Sequence, residues 1–494
     1  MPLSTRIFFA MTVASLFTAI LVLVVPDLPG IGPPPKLDDA LGWLTGAVTQ
    51  PLFVGPFGLA LVLYGWVKTR PLAQSRIRES HALTPLAAGL SRAQKLEATR
   101  TAFATLTPNA DGLVLAELMV HAGVRVGASD IHLHPVADGA TVVLRIDGAL
   151  EPLGVVNAQQ YGLLINRLKV LGRLAHYVTD RPQDGQFSLT TPDGDAEVRI
   201  SLLPTQHGEK AVMRLAGLAS KGPRLDDLNL PESVRLQLTR LLDKPQGLLF
   251  FTGPTGSGKT TSIYASVAHL QQHRGALAQI ATIEDPIEFS LEGAAQTQVN
   301  RAAGLDFATG LRALLRQDPN VLVVGEIRDA ETARIATQAA LTGHLILTTV
   351  HADSSAGVFN RLLEMGVEPP VLASVSLGAF SQRLLRRLCP HCRRPEEPTG
   401  EQRLRLEEVG AAKTGYSSSD GCEQCGGTGV LGRVAVFEVL IMTDELREEL
   451  KKAPNTQQLI TLAASQGLVP LRVAALKRAQ AGDVSLAEAL RVSE

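Results

Sequence analysis

The sequence predicts an α/β protein: a parallel sheet covered by helices on both faces, a smaller α+β domain ahead of it, and transmembrane helices at the N-terminus. Three observations carry that expectation. Four apolar strands, GLLFFTG, AQIATIED, NVLVVGE and HLILTTVHA, alternate with helical stretches between residues 247 and 352, the pattern of a parallel sheet buried on both faces. Upstream, the amphipathic LVLAELMVHAGVRV precedes TVVLRIDGAL and AEVRISLLP, which alternate like strands. Before both come two uncharged stretches, at 7–26 and 40–67.

A length of 494 residues exceeds one ordinary domain, and 45% hydrophobic content is enough for several cores. The formal net charge of −1 argues against the basic face of a generic nucleic-acid binder, so no direct nucleic-acid contact is expected. All four cysteines fall in two close pairs near the C-terminus, which reads as metal binding rather than a disulfide framework.

The first stretch, IFFAMTVASLFTAILVLVVP, is long enough to span a bilayer as a helix. The second is most apolar at LFVGPFGLALVLYGWV, and Pro51 and Pro56 near its start predict a late or kinked helix. A cleaved signal peptide competes with this reading, but no small-x-small cleavage site follows. Two buried core helices also compete, but no amphipathic stripe is visible. Arg6 lies before the first stretch, and Lys68, Arg70, Arg76 and Arg78 follow the second. The loop between them holds Asp27, Asp38 and Asp39 against Lys36, so both ends are expected to face the cytoplasm. Residues 1–70 thus read as a membrane hairpin, and 71–110 as a helical or flexible linker. A small α/β domain follows at 111–219, with SKGPRLDDLNLPES as the interdomain connection. The larger domain takes 220–494, its C-terminal part from 439 reading as helical. No internal repeat or low-complexity tract is visible.

The strand GLLFFTG runs into Gly253-Pro254-Thr255-Gly256-Ser257-Gly258-Lys259-Thr260, followed by Thr261 and a helical stretch. Glycines let such a loop wrap a phosphate with successive N–H groups, and the helix N-terminus adds its dipole. Lys259 is placed to reach the β- and γ-phosphates of ATP, and the Thr260 hydroxyl to bind Mg²⁺. The strand Val321-Leu322-Val323-Val324 ends at Gly325-Glu326. A carboxylate there sits beside the metal and the attacking water, making Glu326 the candidate for orienting or deprotonating that water. Thr282-Ile283-Glu284-Asp285-Pro286-Ile287-Glu288 sets three carboxylates within five residues, and His344 and His351 flank one short strand.

Taken in order, the phosphate loop, this acidic segment, RQDPNVLVVGEIRD and the two-histidine segment resemble the ATPases of type II secretion and type IV pilus assembly. The resemblance runs from about residue 111 to the C-terminus and includes ASDIHLHP, RIDG and RPQDGQ. It implies a RecA-like P-loop ATPase domain behind a PAS-like domain, with Glu284, Asp285, Glu288 and Glu326 arranging Mg²⁺ and water. It also implies that His344 and His351 sense the γ-phosphate, and that Arg199 and Arg214 reach nucleotide phosphates from beside the catalytic domain. A homo-hexamer acting on an inner-membrane platform protein and other secretion or pilus components is implied as well, with the catalytic domains on the cytoplasmic side. Two positions depart from the pattern: Asn320 stands for a usual Asp and His134 for a usual Glu, both expected to be peripheral to the phosphates.

Cys389 and Cys392 form one CxxC knuckle, and Cys422 and Cys425 form a second after 29 intervening residues. Two knuckles complete a closed, tetrahedral Zn²⁺ site within a module at 386–428, in which His391 finds no vacancy. A redox-active pair is the rival reading. The flanking CPHCRRP and GCEQCGGTG resemble assembly ATPases, whereas the retraction ATPases of the superfamily lack this insert. A DNA-handling motor and an inactive scaffold remain as contrasting functions. The balanced charge argues against the first, and intact Lys259, Thr260 and Glu326 argue against the second.

Overall fold

The computed structural model describes residues 90–493, apart from breaks at 107–109, 192–193, 217–221, 276–278, 409 and 411–413. The expected membrane hairpin lies outside the described residues. Among the described residues, no helix is long and apolar enough to cross a membrane.

Helix α1 (Arg92–Leu106) falls within the segment read as linker, and it packs: Leu96 and Phe103 are buried. Helix α2 (Gly112–Val126) opens where the Asp111 carboxylate accepts the N–H groups of Leu113 and Val114, both at 2.9 Å. It closes at Gly127 in the left-handed conformation, which suits glycine. Strands β1 (Asp130–Val136), β2 (Gly139–Ile146) and β3 (Ala149–Asn157) follow as a meander. Then come helix α3 (Ala158–Leu171) and strands β4 (Gln183–Thr191), β5 (Gly194–Thr205) and β6 (Gly208–Ala216). The six strands form one antiparallel sheet in the order β3-β2-β1-β6-β5-β4. Alternate residues such as Ile131, Leu133, Val142, Leu144, Val198 and Ile200 turn toward α2 and α3 and are buried with them.

Two polar joints hold this domain. On α3, the fully buried Lys169 ammonium pairs with Glu209 of β6 at 2.6 Å and donates to the Val178 carbonyl at 2.6 Å. The second joint reaches outside the domain. The Asp147 carboxylate, in the β2–β3 turn, accepts from Arg92 at the start of α1 (2.9 Å) and from the Gly432 N–H (2.8 Å), far along the chain.

The larger domain opens with helix α4 (Glu232–Leu242) and strand β7 (Gly247–Thr252). Helix α5 (Lys259–Arg274), strands β8 (Ile280–Glu284) and β9 (Ala294–Gln298) and helix α6 (Phe307–Leu314) come next. Strand β10 (Val321–Ile327), helix α7 (Ala330–Leu341), strand β11 (Leu345–Val350) and helices α8 (Gly357–Glu364) and α9 (Pro369–Val375) continue the alternation. Every residue of β7, β8 and β11 is buried, as a strand covered on both faces requires.

Two long strands were not singled out in the sequence. They are β12 (Ser376–Leu388) and β15 (Val430–Ile441), which pair antiparallel with one another while β12 runs parallel to β7. The sheet order is β15-β12-β7-β11-β10-β8-β9, which puts the phosphate-loop strand inside the sheet, between β12 and β11. Between β12 and β15 project a small hairpin of β13 (Arg393–Glu396) and β14 (Tyr416–Ser419), helix α10 (Gly400–Glu408) and the cysteine turns. The tail is helical from Asp444, with α11 (Asp444–Leu450), α12 (Thr456–Ser465), α13 (Leu471–Gln480) and α14 (Leu486–Leu490), whereas residues 439–441, read as helical, still belong to β15 because they pair with β12.

Replacing Lys169 by Met should strand the buried Glu209 carboxylate and cost about 3–5 kcal/mol, read as a lower urea midpoint. Pairing Lys169→Met with Glu209→Gln should recover part of that loss.

Candidate active site

In a parallel sheet, all strands end on one edge. The loop after β7, Glu326 near the end of β10, Glu284 at the end of β8 and His351 just past β11 therefore share a rim. The loop itself turns on three glycines with positive φ: Gly253 (139°), Gly256 (77°) and Gly258 (88°). Two of them are also demanded by closeness. A Cβ on Gly253 would lie 2.4 Å from the Gln382 carbonyl oxygen, and one on Gly258 would lie 2.8 Å from the Gln382 amide nitrogen. Strand β12 thus presses against the loop from one flank. On the other, the Thr252 hydroxyl donates to the Ala352 carbonyl (2.7 Å) and accepts the Ala352 N–H (3.0 Å).

Pro254, Thr255, Gly256 and Thr260 are exposed, and Gly258, Lys259 and Thr261 are half-buried. The Lys259 ammonium donates to the carbonyls of Gly253 (2.8 Å) and Pro254 (2.9 Å). Burial pulls its pKa below the ordinary lysine value, and Arg383 adds to that, while Glu326 opposes it. The Ser257 hydroxyl is buried and finds no partner among the described residues, although a buried hydroxyl ordinarily has one. An exposed glycine loop, a half-buried ammonium and an orphaned hydroxyl together fit a polyphosphate. Thr260, in the first turn of α5, is the residue available to a magnesium ion, which when bound would neutralise phosphate charge.

Glu326 is 9% exposed. Its carboxylate accepts from Arg328 at 2.5 Å and lies 3.6 Å from His351 Nε2. Arg328 is a functional candidate that the sequence reading did not single out. It lies two residues on from Glu326, a spacing that returns a side chain to the same side of an extended segment. Gln382 and Arg383 were also missed, because β12 itself was missed.

The acidic segment divides into different jobs. Glu284 is buried, and its carboxylate is fully engaged: it accepts from the Tyr264 hydroxyl, from Thr282 Oγ1 at 2.5 Å and from Gln296 at 3.3 Å. Tyr264 lies on α5, so Glu284 fastens the phosphate-loop helix to β8. Burial first, then this carboxylate, raises the Tyr264 pKa and keeps the hydroxyl a donor. Asp285 pairs with Arg301 at 3.3 Å. Glu288 pairs with Arg199 of the small domain at 2.9 Å, and Arg199 also donates to the Ile287 carbonyl at 2.7 Å. Arg214 stands directly across from Arg199 in the β5–β6 register and is held by the buried Asp130 at 3.1 Å.

The two histidines separate. His351 belongs to the rim, but His344 precedes β11 at the opposite edge of the sheet. There its carbonyl accepts the Gly247 N–H at 3.0 Å, and its Nδ1 lies 2.8 Å from the Ala339 carbonyl oxygen. Six strand residues, roughly 20 Å, separate it from the loop, so sensing a γ-phosphate on this loop does not fit His344 within one chain. Asn320 lies at that same far edge, accepting the Gln279 N–H at 2.9 Å.

In the cysteine module, Sγ–Sγ distances are 3.8 Å (Cys389–Cys422), 3.9 Å (Cys392–Cys425) and 3.8 Å (Cys422–Cys425). All four sulfurs lie within 4.8 Å of one another. Four thiolates about 2.3 Å from a tetrahedral zinc ion are about 3.8 Å apart, so the set fits Zn²⁺. Burial works against the Cys425 thiolate, but the N–H groups of Cys422 and Gly429 together with the Cys422 and Cys392 side chains bring the pKa down to about 7.

A sequence model of the family described as "Type II/IV secretion system protein" matches residues 112–491. The chain belongs to that family. Its activity is ATP hydrolysis. Type II secretion system protein E of Klebsiella pneumoniae is 41% identical over 380 residues, covering 77% of this chain and 75% of that protein. The type IV pilus assembly ATPase PilB of Thermus thermophilus is 41% identical over 365 residues, which are 74% of this chain but 41% of that longer protein. Among solved structures, the pilus retraction motor PilT with bound ADP superposes with a TM-score of 0.54 at 25% identity, covering 76% of this chain and 95% of that one.

Lys259→Ala should lower kcat by roughly a hundredfold or more, because a phosphate-directed cation is removed. A steady-state phosphate-release assay on folded protein checks this. The purified chain should carry about one zinc per subunit by elemental analysis, and Cys422→Ser should lose it and lower the Tm.

Proposed function

We propose that this ATPase is the motor for assembly of a type IV pilus or type II secretion pseudopilus at the bacterial inner membrane. The observation that carries the reading is an intact phosphate loop and Glu326 in one chain with a tetracysteine module spaced for zinc. The relatives named for secretion and pilus assembly at about two-fifths identity support the same direction.

In this mechanism the N–H groups of residues 255–261 and the Lys259 ammonium would bind the phosphates of ATP, and Thr260 would hold a magnesium ion. Glu326 orients the attacking water, with His351 at its side and Arg328 fixing its carboxylate. Glu284 acts through Tyr264 on the loop helix rather than on the metal. Glu288 faces Arg199 of the small domain, so its part is to set the angle between the domains, while Asp285 is paired within its own domain with Arg301. Arg199, bonded to that acidic segment, would exchange Glu288 for phosphate as the small domain closes, and Arg214 beside it would follow.

The chain is read as a homo-hexamer in which each closure moves an inner-membrane platform protein. Zinc, when bound, cross-links the two cysteine turns between β12 and β15. The uncharged stretches within residues 1–70 would tether the motor to the membrane, leaving the ATPase domains in the cytoplasm.

Carbonate-washed membranes test the tether. The full-length chain should stay with the pellet, whereas a chain starting at residue 90 should be released. Recovery of the full-length chain in the wash would refute integral insertion.

A further inference from the structure

We propose that Glu438 is a positioning residue for ATP hydrolysis: its buried carboxylate fastens the turn that carries His351 and joins that turn to the C-terminal helices. The proposal rests on the reading of His351 as a rim residue acting beside Glu326.

His351 is poorly held by its own side chain, which is 55% exposed. Its place therefore depends on the backbone turn that follows it, residues 352–355. Three fasteners hold that turn. Thr252, immediately before the phosphate loop, clasps Ala352 through both its carbonyl and its N–H. Arg383 of β12 donates to the Asp353 carbonyl at 3.3 Å. Glu438 of β15 takes the far end of the turn: one oxygen accepts the Ser355 N–H at 2.9 Å and the Ser355 hydroxyl at 2.7 Å.

Glu438 is only 7% exposed. A carboxylate taken out of water is expensive unless donors surround it, so this one is tightly committed to its partners. Its second oxygen accepts the N–H of Leu471 at 3.3 Å, the first residue of α13. That N–H is one of the donors a helix start leaves unsatisfied, and a negative charge there is favoured by the helix dipole. The same carboxylate also favours the charged form of Arg383, against the burial that otherwise lowers its pKa. Glu438 thus links three pieces distant in sequence: the turn after β11, the strand under the phosphate loop and the start of α13. A shift of the C-terminal helices would be felt at His351 through one side chain.

The test is a double-mutant comparison in the full-length chain, reading kcat and the affinity for a fluorescent ATP analogue. Glu438→Ala should lower kcat by about tenfold or more while nucleotide affinity stays within about threefold, since misplacing a reacting group costs rate more than binding. Ser355→Ala removes one of the two bonds and should give a smaller loss. Glu438→Gln should fall between the parent and Glu438→Ala, because its amide oxygen can still serve Ser355 while its NH₂ faces the Leu471 donor. In a His351→Ala background, Glu438→Ala and Ser355→Ala should each lower kcat by less than about twofold further, the sign of residues acting through one another.

Equal losses in both backgrounds would overturn the proposal alone. A kcat within about twofold of the parent for His351→Ala by itself would overturn the underlying reading of His351, and the proposal with it. If Glu438→Ala does not fold, Ser355→Ala and Glu438→Gln carry the same comparison.

Discussion

The site depends on how closely strand β12 approaches the phosphate loop. The Gln382 backbone and side chain leave no room for a Cβ at Gly253 or Gly258, so glycine at both positions is a packing requirement as well as a conformational one. Gln382 also accepts from the Ser262 hydroxyl at 2.8 Å, which fixes the first turn of α5 against the same strand. With the Thr252–Ala352 clasp on the other flank, the loop is held from two sides and its outer surface is free for a ligand. Neither flank is near the loop in sequence. The loop becomes a site only when the sheet is complete.

What the sequence disclosed follows from locality. Buried parallel strands are short apolar runs, and the four that carry the rim were visible as such; so was the glycine loop between β7 and α5. The antiparallel pair β12 and β15 was harder. Arg383, Arg386 and Arg387 break the apolar run of β12, and its partner lies across the whole cysteine module. Without β12, neither Gln382 nor Arg383 could be placed beside the loop. The three carboxylates at 284, 285 and 288 look alike in sequence, yet only Glu284 is claimed by a buried tyrosine twenty residues earlier. That division is tertiary. The position of His344, by contrast, was readable: a six-residue strand separates the histidines, and a strand that long cannot bring both ends to one phosphate.

The small domain meets the rim through a charge pattern that its sheet register makes possible. Arg145, Asp130, Arg214 and Arg199 stand in one row across β2, β1, β6 and β5. Asp130 is the buried member and binds Arg214, with Arg145 at 3.7 Å on its other side. Arg199, at the end of the row, turns instead to Glu288. One buried carboxylate among three arginines leaves a net positive row, which meets the acidic segment at Arg199. That row favours the approach of an anion from the catalytic side.

The Asp147 joint has a mechanical meaning. Set in the turn of the small sheet, its carboxylate receives the first turn of α1 and the backbone at Gly432, which follows the cysteine turns. Chain lying before residue 90 is therefore connected to the fold where three parts are pinned together. Tension along that chain would not unwind a loose end. It would divide at one anchor between the small sheet and strand β15 of the larger sheet, so a pull from the N-terminal side would bear on both domains at once.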